Sequence, residues 1–125
     1  MSILLALALQ TSPAIGNDFH TRVRQAKLAE GAAAGPDYQK KMWDRIGNAT
    51  TDAYKACLAS NTPADKAPFT LVANVNAEGH LADIAVQPAT PVANCMAGQF
   101  ASWVLPVPPA TPAPYPVEID FSIKN

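Results

Sequence analysis

The sequence predicts an α+β domain in which a small antiparallel three-stranded sheet is covered on one face by two helices, in the order α-β-β-α-β. Two short apolar-rich runs flank a polar turn within residues 69–86, FTLVANVNAEGHLADIAV. Two further segments carry apolar residues at helical spacing, and the C-terminal VEIDFSIK alternates strictly between apolar and polar residues. Because an isolated hairpin is only marginally stable in water, we expect the helices to cover its apolar face.

Residues 69–86 predict a β-hairpin. In the first run every second residue is apolar, namely Phe69, Leu71, Ala73 and Val75. This alternation is typical of a strand with one buried face and one solvated face. Asn76-Ala77-Glu78-Gly79 supplies a short turn that ends in glycine, and Gln87-Pro88 ends the second strand.

Apolar residues three or four positions apart predict a helix from Pro36 or Asp37 to about Ser60. Its buried stripe is predicted to contain Met42, Ile46, Ala49, Ala53 and Cys57. Asn61-Thr62-Pro63 ends the helix, because proline cannot continue its hydrogen-bond ladder. Trp43 and Tyr54 lie off the stripe, either at the edge of the core or at a partner surface.

A second covering helix is predicted after the hairpin, with Thr90 as its cap and Pro91 in its first turn. The helix is defined by Val92, Cys95, Met96, Gln99, Phe100 and Trp103, most of which form one apolar face. Upstream, a short helix from Asn17 or Asp18 to Glu30 has only a thin apolar stripe, and Gly31–Pro36 is interpreted as a linker. We therefore expect this N-terminal segment to be loosely attached.

The C-terminal part combines a proline-rich loop with a third strand. The loop, Leu105–Pro116, is either a rigid span or a polyproline ligand for a partner. In the strand that follows, the residues expected to face the core are Val117, Ile119, Phe121 and Ile123. Those expected to face solvent are Glu118, Asp120, Ser122 and Lys124. Charges in these positions are typical of an exposed sheet edge.

Length and charge limit the classes of function. The chain has 125 residues, enough for one domain with a modest core. Its formal net charge is -1 and its sequence pI is about 6.0, with no run of basic residues. Electrostatic recognition of nucleic acid or of an anionic membrane surface is therefore not expected.

The first residues, MSILLALALQTSPAIG, are typical of a secretory signal, although no Lys or Arg precedes the apolar run. The run Ile3–Leu9 is too short to span a membrane. The alternative is an ordinary N-terminal helical turn. We accordingly divide the chain into a signal peptide at residues 1–16, an N-terminal helix and linker at 17–36, and a domain at 37–125.

Cys57 and Cys95 both fall on apolar faces of predicted helices. In an oxidising compartment such a pair usually forms a disulfide, which here would join the two helices on the same side of the sheet. Two buried free thiols in a cytosolic protein are the alternative. The spacing fits neither a CxxC redox motif nor a zinc site.

Residues able to do chemistry are scattered. His20 and His80 have no second histidine or cysteine at ligand spacing, and no serine lies in a GxSxG setting. Asp83, Glu118 and Asp120 could share one sheet face, where a solvated charged surface is the preferred interpretation over acid–base catalysis. We therefore predict no catalytic, cofactor-binding or metal-binding residues and no cofactor.

The order of these segments resembles the C-terminal domain of the TonB family. The matching parts are the hairpin, the helix ending in Ala101-Ser102-Trp103, the segment Leu105–Pro109 and the closing VEIDFSI. In the AgmX/PglI-type disulfide variant one cysteine precedes the hairpin and another opens the later helix, and Cys57 and Cys95 fit those places. The resemblance covers residues 54–124.

The resemblance implies a periplasmic or secreted cell-envelope module that binds a protein partner and performs no chemistry. In TonB itself the domain pairs with a partner's peptide by strand addition. The corresponding edge strand here comprises Val117, Glu118, Ile119, Asp120, Phe121, Ser122 and Ile123. Without a spanning anchor we expect a free-standing relative. The rival hypotheses are a structural envelope accessory and a small enzyme or enzyme inhibitor.

Overall fold

The computed structural model describes residues 14–123. Its elements are α1 (Ala14–Gly31), α2 (Gly35–Ser60), β1 (Phe69–Val75), β2 (Leu81–Gln87), α3 (Pro91–Phe100) and β3 (Tyr115–Phe121). The strands form one antiparallel sheet in the order β2-β1-β3, so β1 is central and β3 lies at an edge. The predicted α+β class is confirmed. The predicted signal peptide falls outside the described residues, except that residues 14–16 belong to the first turn of α1.

The hairpin forms as predicted because its turn satisfies its own polar groups. The Asn76 side-chain oxygen accepts hydrogen bonds from the backbone N–H groups of Glu78 (3.0 Å) and His80 (2.9 Å). Gly79 has a φ of 91°, a left-handed conformation that glycine adopts without steric cost. Its carbonyl accepts a 2.8 Å hydrogen bond from the Leu105 N–H, which ties the turn to the start of the proline-rich loop.

The third strand pairs with β1 residue for residue, from Phe69 opposite Phe121 to Val75 opposite Tyr115. It begins two residues earlier than the predicted Val117 and ends at Phe121. The pairing between β1 and β2 is less regular, because its register shifts between Val72 and Asn74. Asp83 lies in this bulge with a φ of 54°. Bulges on an outer strand disturb further pairing at that edge.

The core lies between one face of the sheet and the helices α2 and α3. This first face carries Leu71 and Val75 of β1 and Ile119 of β3. The core includes the buried side chains Met42, Ile46, Cys57, Leu71, Val75, Val92, Met96, Phe100, Val117, Ile119 and Phe121. The rings of Phe69 and Phe121 stack with centroids 4.7 Å apart, and Tyr54 contacts both edge-on. A disulfide joins Cys57 to Cys95, with 2.04 Å between the sulfur atoms and 5.8 Å between the Cα atoms. The predicted bridge between the two covering helices is therefore present.

The buried stripe of α2 differs from the predicted one in its middle and at its start. Ala49 is exposed and Thr50 is buried, because the stripe passes from Ile46 to the residue four positions on. Tyr38, which the predicted stripe omitted, is also buried. Its hydroxyl donates a 2.9 Å hydrogen bond to the Pro106 carbonyl, so this tyrosine fixes the proline-rich loop against the helix.

The largest departure from expectation concerns the second face of the sheet, which α1 covers. Ala26 is completely buried and Val72, on the second face of β1, is 1% exposed. Glu118, predicted to face solvent, points to the predicted face but is buried at 8% exposure. The expected loose attachment of α1 and full solvation of the second face are therefore wrong. Small alanines let the helix approach the sheet closely, and they add little to a hydropathy pattern.

The linker predicted at Gly31–Pro36 is also shorter than expected, since only three residues, 32–34, separate α1 from α2. Gly35 begins α2 while its Cα lies against the backbone carbonyls of Ala29 and Glu30. A side chain at this position would collide with that backbone. The glycine therefore allows the sharp reversal that brings α1 back across the sheet.

Replacing Gly79 with alanine is expected to destabilise the protein by about 2 kcal/mol, because the backbone is left-handed there and the new Cβ would collide with the Leu105 carbonyl. Gly47 is the matched control, since nothing lies near its Cβ position within α2. Gly47→Ala should raise stability by up to ~1 kcal/mol. Urea denaturation of both variants measures the difference. Equal stabilities would contradict this account of the turn.

Candidate functional site

The candidate site is the outer edge of β3. Since β3 pairs only with β1 in this sheet, its other side carries backbone groups without a neighbouring strand. Within residues 14–123, no backbone-to-backbone hydrogen bond outside that ladder involves residues 117–123. Such an edge can accept a further strand.

Exposure varies along the predicted edge strand. Val117, Ile119 and Phe121 point into the core and are buried, and Glu118 is buried beneath α1. Asp120 and Ser122 are exposed and Ile123 is half-buried. The structure therefore leaves the end of the strand, from Asp120 onward, as its most accessible part.

Helix α1 lies against β3 from the second face and reaches its outer side. The Lys27 ammonium is 3.5 Å from a Glu118 carboxylate oxygen and 4.0 Å from one of Asp120. Near the end of α1 the Ala29 carbonyl accepts a 3.5 Å hydrogen bond from the hydroxyl of Tyr115, whose ring lies on the first face. Contacts with side chains of both faces mean that the end of α1 passes beside the edge of β3.

A pair of carboxyl groups lies in this contact. The pKa of Glu118 is raised to about 7, first by burial and then by the neighbouring carboxyl groups of Glu30 and Asp120, while the Lys27 ammonium opposes the shift. Glu118 Oε1 and Glu30 Oε2 are buried and have no hydrogen-bond partner. Near neutral pH this site therefore changes its protonation.

Sequence reasoning did not find the roles of Lys27 and Glu30. Their spacing of three residues places them on one side of α1, which was a weak signal of a shared surface. The sequence did not show that this side faces β3. That relation depends on the reversal at Gly35, which no hydropathy pattern encodes.

The other carboxylate predicted for this face, that of Asp83, lies on it at the opposite edge of the sheet, on β2. The Asp83 carboxylate accepts a 3.1 Å hydrogen bond from the Asn74 side chain, and the Arg22 guanidinium donates to the Asp83 backbone carbonyl. These residues line a groove of about 930 Å³ between α1, the bulge of β2 and the prolines near β3. Leu28, 69% exposed, lies at its rim. Among the described residues that line the groove there is no serine, cysteine, histidine or lysine.

The histidines remain separate from the acidic residues of the second face. His20 is an exposed residue of α1, and His80 is exposed where it bridges to Val104 just before β2. Among the residues that the structure describes, no three histidine, cysteine or acidic side chains are grouped to hold a metal ion. None of the described helices, residues 14–123, is both long and apolar enough to cross a membrane.

The proline-rich loop is held at its start and near its end. Leu105 is buried, and the Pro106 carbonyl accepts the Tyr38 hydrogen bond. Pro112 and Pro114 line the groove beside α1. These contacts favour the interpretation as a rigid span, although Val107, at 68% exposure, stays accessible.

Comparisons with known proteins identify no relative. No family model matches the chain, and neither the curated proteins nor the solved structures gave a match. The TonB-type resemblance therefore remains a prediction.

Proposed function

We propose that this protein is a non-enzymatic, periplasmic or secreted interaction module of the TonB C-terminal type that binds a protein partner by strand addition at β3. The observation that carries the proposal is the position of β3 at the sheet edge, with no backbone partner on its outer side among the described residues. An added strand gains its affinity from main-chain hydrogen bonds to such an edge.

The opposite edge of the sheet is less suited to a partner. The bulge at Asp83 interrupts the regular course of β2. At its start, the bridge between His80 and Val104 already occupies the outer side of the chain. β3 has a regular register along its whole length, so its backbone groups are evenly presented. The geometry therefore favours β3 as the docking strand.

The proposed location outside the cytoplasm is supported by the disulfide between Cys57 and Cys95, since disulfides persist in oxidising compartments. The apolar run at Ile3–Leu9 supports it from the sequence.

A structural accessory domain of the cell envelope is the second candidate. It is favoured by the burial of five consecutive residues of β3, Tyr115–Ile119. In that case α1 is a permanent cover and no partner uses the edge.

Proline substitution at β3 distinguishes these functions. Neighbouring residues of a strand direct their N–H groups to opposite sides, so one of Ile119→Pro and Asp120→Pro removes an outward donor. The variant whose lost N–H pointed outward keeps its hydrogen bonds to β1. It is therefore the one of the two proline variants that loses less thermal stability. Its recovery of partners from envelope extract should fall roughly tenfold, because at least one intermolecular hydrogen bond is lost.

Ile119→Ala and Asp120→Ala are the matched controls, since they shorten the side chain and keep the backbone N–H. They should retain partner binding close to that of the unmodified protein. Equal recovery by the folded proline variant and its alanine control would refute strand addition and leave the accessory function.

A further inference from the structure

Two acidic side chains from different elements meet beneath α1. Glu118 comes from β3 and is 8% exposed, and Glu30 comes from the last turn of α1. Glu30 Oε2 and Glu118 Oε1 are both buried without a hydrogen-bond partner, and the Lys27 ammonium lies 3.5 Å from Glu118 Oε1. Two ionised carboxylates repel each other and neither can donate a hydrogen bond to the other, so the burial of these neighbouring groups favours a proton on one of them.

The surroundings do not provide enough positive charge to replace that proton. On α1, Lys27 is the neighbouring cation, and its side chain is 57% exposed. On β3, Asp120 adds a third carboxyl group and is held by a 2.6 Å hydrogen bond from Thr70 of β1. Tyr115 also faces Glu30, and burial raises its pKa, so its hydroxyl stays neutral.

The β1 residue beside Glu118 is apolar. Val72 lies opposite Glu118 in the ladder and is buried, so it offers no hydrogen bond to an ionised carboxylate. Burying a charge without such partners is costly. Ionisation of the pair therefore destabilises the packing of α1 against β3.

We propose that α1 is a proton-controlled cover of β3, seated while the Glu30–Glu118 pair holds its proton and loosened when the pair loses it. Loosening relieves the repulsion, because it returns both carboxylates to water. The consequence for partner binding, that the edge of β3 becomes accessible as pH rises, rests on the function proposed above. The movement of α1 itself does not.

The composition of α1 suits a displaceable element. Among its described side chains the buried ones are the small Ala26 and Ala29, which bury little apolar area, and Phe19 and Val23 are only half-buried. Leu28, the large apolar residue near its end, is directed away from the core and is 69% exposed. The disulfide lies between α2 and α3 and therefore does not restrain α1.

Hydrogen–deuterium exchange of the full chain tests this cover. Unmodified protein and Glu118→Gln are compared at the same pH, once at pH 6 and once at pH 8.5, so that the intrinsic exchange rates cancel. Between these pH values, the exchange of residues 14–31 in the unmodified protein should accelerate about tenfold relative to the variant, since one pKa unit corresponds to a factor of ten. Residues 69–75 of β1 should exchange far more slowly than α1 at both pH values, because the central strand opens only when the whole domain unfolds.

Glu30→Gln provides a second variant that removes the pair from the side of α1, in case Glu118→Gln perturbs the sheet. Glu78→Gln, in the exposed hairpin turn, is the matched control and should exchange like the unmodified protein. An unchanged ratio between pH 6 and pH 8.5 for both pair variants would overturn the proposal. The exchange experiment tests whether α1 moves, and the proline experiment tests whether the edge of β3 binds a partner. Failure of one proposal is therefore distinguishable from failure of the other.

Discussion

Removing the disulfide is expected to lower the free energy of unfolding by about 4 kcal/mol, because the bridge closes a loop of 38 residues in the unfolded chain. The double variant Cys57→Ala, Cys95→Ala, measured by urea denaturation at pH 6, tests this value. A loss of this size is a large part of the ~5–15 kcal/mol that a domain of this kind usually has. We also expect a fall in the melting temperature.

Reduction of the unmodified protein is the control for the double variant. Both treatments open the same loop, and they differ only in the small cavity that alanine leaves at the buried position 57. They should agree to within ~1 kcal/mol. A loss below that size in both would show that the bridge contributes little to stability.

Stability is expected to fall as pH rises through 7, which is the reverse of the usual behaviour of a carboxylate in an ion pair. The pKa of Glu118 is raised from 4.5 to about 7 in the folded protein. Between those values the folded state holds a proton that the unfolded state has released, so each rise in pH favours unfolding. The contribution is fully present below pH 4.5 and is lost as pH passes 7, a decrease on the order of 3 kcal/mol.

Chemical denaturation at several pH values between 4.5 and 8.5 measures this decrease. Glu118→Gln cannot ionise, so its stability should change much less across the same range. Glu78→Gln should retain the full dependence, because this residue is exposed in the hairpin turn. If the unmodified protein and Glu118→Gln gave parallel curves, Glu118 would not be the responsible group.

The sheet and its first face were predictable because their signals are local. Alternation of apolar and polar residues identified β1 and β3, and the glycine at position 79 identified the turn. The helical spacing that carries Cys57 and Cys95 placed both on apolar faces, and the structure joins them. These patterns depend on residues two to four positions apart, which is the range that a sequence displays directly.

The second face was not predictable in the same way. Glu118 occupies the alternating position of a solvated residue, and only the tertiary packing of α1 buries it. The contacts of α1 depend on alanines and on the reversal at Gly35, which produce no amphipathic pattern. Nor does the sequence state that β3 pairs with β1 rather than with β2.

The pairing of β3 with β1 also determines when the domain can form. Thr70 and Asp120, bonded across this ladder, are separated by 50 residues. β3 is the last of the described elements, so the central strand lacks one of its two neighbours until that segment has been synthesised. Contacts between such distant residues slow folding, and the edge of β1 that pairs with β3 stays unpaired throughout that interval. The sheet is therefore expected to be completed only after β3 has been synthesised. Until then the unpaired edge of β1 is the surface that a chaperone would protect.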